Sequence, residues 1–311
     1  MSNLPNISLN KNQLIRPTMH TLGMSYILRS LKNSGLFNVS EHEFYLNTFR
    51  DFRATTIYIG GKKVFLDFWE YPAPTMTDAV YNENFDLIIK LQWKNLPKEK
   101  FLSECRAYKF LNDKSDDEIF EFHRKMIPWT FFPSKLIEPY VGRESQLWSD
   151  DIKRNGFFCG KDWRCRRRGK KMVEQSGMEY TCTNQEENIK ITDEDFLRKM
   201  RESKFGIVLP GRGSWATETK NRREIDYMMM KKPLLMTYSP TYYNPLVEGT
   251  HYIRWDKEES IEKIQYKYDI KAIAENGHKW YLDNASPLGV AKTFIQIAKE
   301  KFGDEILQGK S

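Results

Sequence analysis

The chain has 311 residues, 40% hydrophobic and 29% charged, which is too long for one typical domain and suits two of roughly 150 residues each. Its four cysteines (Cys105, Cys159, Cys165, Cys182) form no CxxC pair and have no closely spaced histidines. That spacing argues against a disulfide scaffold and a zinc site, and free thiols in a reducing compartment are expected. The net charge of +7 suits an anionic partner, and the run Arg164, Arg166, Arg167, Arg168, Lys170, Lys171 supplies nearly all of it.

The opening MSNLPNISLNKNQLIRP is polar and has no apolar h-region, and no apolar stretch approaches ~18 residues. Neither a secretory signal nor a transmembrane helix is expected, and a cytoplasmic protein is. Residues 19–34 carry helical apolar spacing that stops before Gly35. EFYLNTF, TTIYIGG and KKVFLDF read as strands, with Gly60-Gly61 turning a hairpin between the last two. FDLIIKLQW, 85–93, is a near-continuous apolar run of buried-strand length. An acidic helix follows around 113–126. Residues 127–148 hold Pro128, Pro133 and Pro139 among aromatics and read as an irregular connection. The domain junction is placed there, giving domains 1–148 and 149–311.

The second half alternates more cleanly. NGFFCG, 155–160, is a strand and KKMVEQSG a short helix. Thr192, followed by Asp193 to Asp195, caps a helix running to about Ser203. FGIVLPG, 205–211, is a buried strand, TKNRREIDYMMMK a helix, and PLLMTY and HYIRW further strands. Helices near 258–281 and 288–302 close the chain. Strands alternating with helices imply an α/β fold with a parallel sheet of βαβ units.

The most informative stretch is 203–255. A buried strand ends at Pro210, the loop Gly211-Arg212-Gly213-Ser214 follows, and a helix starts near Thr217 or Thr219. In open α/β sheets ligands sit beyond the carboxyl ends of the strands. Glycines let the backbone approach a phosphate, and a helix N-terminus offers free N–H groups. Arg212 adds a cation able to hold a diphosphate through two parallel hydrogen bonds. Arg222 and Glu224 lie one turn inside the helix, where an acid could hold ribose hydroxyls. The loop is neither GxGxxG nor a Walker A motif, so dinucleotide and P-loop readings fail. An ordinary strand-to-helix turn with surface arginines fits the spacing equally well.

FGIVLPGRGS, NRREIDYMMM, KKP and LLMTY, in that order, resemble the C-terminal half of exostosin-like glycosyltransferases. YYNPLVEGTHYIRW, ENGHKWYLDNASPLGVAKTF and the FDLIIKLQW strand resemble such enzymes of large algal DNA viruses, the chlorovirus β-xylosyltransferases among them. The likeness covers about residues 150–302. Lys231-Lys232 stands where the family has a small residue before proline, and the Glu224 register is one residue loose.

The resemblance implies the GT-B architecture: two Rossmann-like domains facing across a cleft, with the C-terminal helix crossing back to the N-terminal domain. It implies transfer of a sugar such as xylose from a nucleotide sugar, uridine diphosphate the expected carrier, to an oligosaccharide or glycoprotein acceptor. The expected mode is inverting and metal-independent with no cofactor, in the cytoplasm of the host if the protein is viral. The diphosphate would lie against Gly211, Arg212, Gly213 and Ser214, Thr219 would belong to the same donor site, and Arg212 would also serve the leaving group. Arg222, Glu224 and Tyr242 or Tyr243 would meet the ribose and base. Gly160, Lys161 and Arg164 would add a phosphate contact, whereas Arg166 to Arg168 read better as a surface basic turn.

In such transfers a carboxylate takes the acceptor's proton, and the family implies that the N-terminal domain provides it. Asp67 ends the strand KKVFLDF and is followed by Trp69, Glu70 and Tyr71, an aromatic loop able to stack an acceptor sugar. Glu70 is the alternative base, and a turn cap before Pro72 is the alternative role for Asp67. Asp116-Asp117 could mimic a metal-binding acidic pair, but acids are favoured at a helix start in any case, and no metal is expected. Two other classes stay open: a glycan-binding protein of the same fold without activity, and a basic nucleic-acid-binding protein. The latter is disfavoured because the basic run is not interleaved with aromatics.

Overall fold

The structure, a computed structural model, describes residues 4–11, 22–43, 54–68, 83–91, 96–106, 111, 113–160, 166–182, 191–210, 222–255 and 259–308. These contain eleven strands and nine α-helices in two sheets, an α/β protein of two compact units. Unit 1 comprises residues 1–130 and 287–311, and unit 2 comprises residues 131–286.

In unit 1 the strands are β1 (Asn6–Asn10), β2 (Asn38–His42), β3 (Ala54–Ile59), β4 (Lys62–Asp67), β5 (Leu87–Lys90) and β6 (Met126–Pro128). They lie in the order β2-β1-β3-β4-β5-β6. β3 is antiparallel to both neighbours, while β1 with β2, and β4 with β5 and β6, pair in parallel. Every strand except β3 therefore ends at the same edge. Gly60 and Gly61, at φ 51° and 78°, join β3 to β4. Positive φ at both central residues is what a two-residue hairpin needs to match strand twist.

Helix α1 (Leu22–Asn33) is buried round most of its circumference, Ser25, Tyr26 and Ser30 being covered along with Met24, Ile27, Leu28 and Leu31. Helices α2 (Lys98–Cys105) and α3 (Asp116–Lys125) cover a core of Phe65, Phe85, Ile88, Phe101, Ile119 and Met126. Ser115 caps α3 reciprocally with Glu118, satisfying two N–H groups that the first turn would leave unpaired.

Unit 2 holds β7 (Arg154–Gly160), α4 (Arg167–Gln175), β8 (Glu179–Cys182), α5 (Asp193–Arg201) and β9 (Ser203–Val208). After these come α6 (Arg222–Met229), β10 (Leu234–Met236), β11 (Ile253–Arg254), α7 (Ile261–Lys267) and α8 (Ile270–Asn284). All pairings are parallel, in the order β11-β10-β9-β7-β8. Counted within the unit this is 2-1-3-4-5, a doubly wound order that reverses between β7 and β9. The side chain of Thr192 accepts from the Asp195 N–H at the start of α5. Helix α6 is buried nearly all round, from Glu224 to Met229. It lies so close to β9 that a Cβ on Gly206 would stand 2.4 Å from the Tyr227 ring.

Several expectations need correction. The units divide at 130/131 rather than 148/149, because residues 131–148 pack within unit 2: the Ser134 N–H donates to Asp226 and the Trp148 indole to the Met229 carbonyl. Residues 287–311 belong to unit 1 and not to the expected 149–311 domain, in keeping with the expected return of the C-terminal helix: α9 (Pro287–Phe302) packs along α1, and Phe294 meets Phe37 and Trp129. The helix expected over 258–281 is broken at Tyr268, and the Asp269 side chain caps a new one by accepting from the Ala272 N–H. Strands β1, β2, β6 and β8 were not anticipated. Of the strand expected at 43–49, residues 44–49 lie outside the described residues. Among the described residues, no helix is long and apolar enough to cross a membrane.

Candidate functional site

In unit 2 the sheet order reverses between β7 and β9, and two arginines converge beyond the carboxyl ends of those strands. Arg166, immediately before α4, is 7% exposed and donates through Nε to the Pro210 carbonyl at 2.7 Å. Arg223, in the first turn of α6, donates to the Cys159 carbonyl. Their guanidinium carbons lie 5.3 and 4.4 Å from the centre of the same Phe158 ring, within cation–π range. Gly160 ends β7 between them. A Cβ there would stand 2.9 Å from Arg166 Nη1 and 3.4 Å from Arg223 Nη2. A side chain at this position would displace the Arg166 guanidinium and stand in contact with that of Arg223.

The other charges of α6 go elsewhere, because adjacent helical residues do not share a face. The Arg222 guanidinium lies 5.1 Å over the Phe132 ring. Glu224 is fully buried, and its two carboxylate oxygens accept from the hydroxyls of Tyr238 and Tyr242, one each. Burial, then the adjacent carboxylate, pushes both phenols well above their ordinary range, and they remain donors. Asp226 accepts from the Ser134 N–H at 2.8 Å, and burial pushes its carboxyl up to about 6.

At the common strand edge of unit 1, Asp67 ends β4 fully buried. Lys90, which ends β5 in register with it, holds its Oδ2 at 3.1 Å and is equally buried. Asn10, at the end of β1, is a third fully buried polar residue on this edge. His42 ends β2 and bonds the Ser8 hydroxyl through Nδ1 at 3.0 Å.

Of the residues singled out from the sequence, Gly160 sits at the reversal point, Arg222 and Glu224 lie on α6, and Tyr243 is half-buried. Glu224, expected to hold ribose hydroxyls, instead has two tyrosine donors from its own fold. Arg166, read as part of a surface turn, is buried at the reversal point. Lys161, Arg164, the loop Gly211-Arg212-Gly213-Ser214, Thr219, and Trp69, Glu70 and Tyr71 lie outside the described residues. Asp116 and Asp117 begin α3 and pair with Arg106 and Lys98. Arg223 and Lys90 were missed. A lysine closing the apolar run LIIK was the available signal for Lys90; Arg223 had none that distinguished it from Arg222.

No protein-family model matches this sequence, and no curated protein matches it either.

Proposed function

We propose that the protein is a glycosyltransferase of the GT-B type, moving a sugar such as xylose from a uridine-diphosphate sugar to a glycan acceptor. Unit 2 is the donor lobe and unit 1 the acceptor lobe. The observation that carries this reading is the pair Arg166 and Arg223 at the reversal point of a doubly wound parallel sheet. Ligands of such sheets bind beyond the strand ends at that point, and two guanidinium groups there suit a diphosphate. The resemblance of residues 203–255 to exostosin-like enzymes gives the reading its chemistry. Arg212 with Gly211, Gly213 and Ser214, which follow β9 in the sequence, is the stretch that the resemblance assigns to the same diphosphate.

In the proposed reaction the acceptor hydroxyl oxygen bonds to the anomeric carbon from the face opposite the leaving group. The bond from that carbon to the diphosphate oxygen breaks, and its electron pair leaves on the nucleoside diphosphate. Arg166, Arg223 and Arg212 stabilise the charge that develops there. Asp67 takes the proton released by the acceptor.

The test is calorimetry with UDP and with uridine and guanosine diphosphate sugars, followed by NMR of the product's anomeric configuration. The expected result is saturable binding of one nucleotide per chain, weakened ~10-fold or more in both Arg166→Ala and Arg223→Ala, as for loss of a charge-assisted contact. Binding unchanged in both variants refutes the site. Binding without turnover of any donor refutes the enzyme and leaves a carbohydrate- or nucleotide-binding protein.

A further inference from the structure

We propose that Lys90 is the positioning residue of the catalytic carboxylate, fixing Asp67 at the edge of the first sheet and making a charge tolerable there. The inference rests on reading Asp67 as the proton acceptor. β4 and β5 are parallel neighbours with Asp67 and Lys90 in register at their carboxyl ends, Nζ to Oδ2 3.1 Å apart and both side chains fully buried. The strands leading to them, Val64-Phe65-Leu66 and Leu87-Ile88-Ile89, are wholly apolar and buried.

A pair of hydrophobic residues would serve stability at such a place as well or better, since withdrawing two charges from water costs about what their attraction returns. A charged pair where strands of one direction end, the edge at which α/β sheets take ligands, has its rationale in chemistry. The flanking register positions bring no further charge, being Ala54 on β3 and Pro128 on β6. Among the described residues, the other titratable groups at this edge are His42, three strands from β4, and Lys11, paired with Glu43 at the exposed rim. Lys90 Nζ is thus a cation placed to hold the carboxylate and set its direction.

A double-mutant cycle tests this with the full chain. UDP release from a panel of uridine-diphosphate sugars, UDP-xylose first, is measured for the parent, Asp67→Asn, Lys90→Met and the double variant. Asp67→Asn is expected to slow turnover ~10²- to 10⁴-fold, and Lys90→Met at least ~10-fold, with UDP affinity unchanged in both. A residue acting through Asp67 has nothing left to act on once Asp67 is asparagine, so the double variant should fall within ~3-fold of Asp67→Asn alone. Its urea midpoint should also exceed that of Lys90→Met, which removes the buried cation while the buried carboxylate stays. Lys90→Gln, which keeps a donor without the charge, serves if Lys90→Met fails to fold.

A double variant slowed by the product of the two single effects overturns the inference, as does parental turnover in Lys90→Met. An active parent with undiminished turnover in Asp67→Asn removes the base, and Lys90's role with it, while leaving the transferase standing. A parent that turns over no donor removes both readings.

Discussion

Asp226 offers a direct measure of what the buried helix α6 costs the fold. Its side chain is 2% exposed and accepts from the Ser134 N–H at 2.8 Å. Burial raises its carboxyl from the ordinary 3.8 to about 6, against the pull of that hydrogen bond and of Arg223 and Arg222. A group that binds protons more tightly in the folded state contributes stability below its unfolded value and loses it as pH rises through its folded value. The contribution of Asp226 is therefore complete below about pH 4 and gone above about pH 6. At ~1.4 kcal/mol per tenfold in proton affinity, the rise to about 6 corresponds to ~3 kcal/mol.

Asp226→Asn keeps a carbonyl oxygen for the Ser134 N–H and removes the ionisation. In urea at pH 7.5 the variant should be more stable than the parent by ~2 to 3 kcal/mol, and the gap should shrink by ~2 kcal/mol at pH 4.5. A variant less stable than the parent at pH 7.5, or a gap that ignores pH, would mean that the two arginines hold this carboxylate ionised.

Two further substitutions probe the same helix. Tyr238→Phe removes one of two hydroxyl donors to the fully buried Glu224 and should cost ~1–3 kcal/mol in urea unfolding at pH 7.5; a loss below ~0.5 kcal/mol would mean that Glu224 is not the acceptor. Gly206→Ala would set a Cβ 2.4 Å from the Tyr227 ring, whose hydroxyl is anchored on the Phe157 carbonyl at 2.9 Å. It should lower the unfolding free energy by ~1–3 kcal/mol, and a neutral outcome would show that α6 can slide from the sheet.

Elements whose signal is local were legible in the sequence. The Gly60-Gly61 hairpin, the Thr192 cap and the alternation that makes the second sheet parallel all stand as read. β1 and β2, NISLN and NVSEH, were not legible because their polar residues hide any strong apolar alternation, and β2 lies on the sheet edge with most of its residues exposed. The break at Tyr268 was legible only as an aspartate inside a helical pattern. Arg166 misled because a basic run normally reads as a solvated face. Its burial comes from the Pro210 carbonyl, 44 residues on, and from Phe158, neither of which local spacing announces. The same holds for Glu224, whose tyrosine partners come from beyond β10, 14 and 18 residues away.

The route of the chain has a consequence for how the molecule is made. Residues 131–286 form one uninterrupted unit, while the first unit is completed only by residues 287–311. A ribosome thus synthesises all of the second unit before it makes the helix that packs along α1. The half begun first is completed by a later segment, so Met24, Ile27, Leu28 and Leu31 lack that cover, open to chaperones or to aggregation, until residues 287–302 have been made.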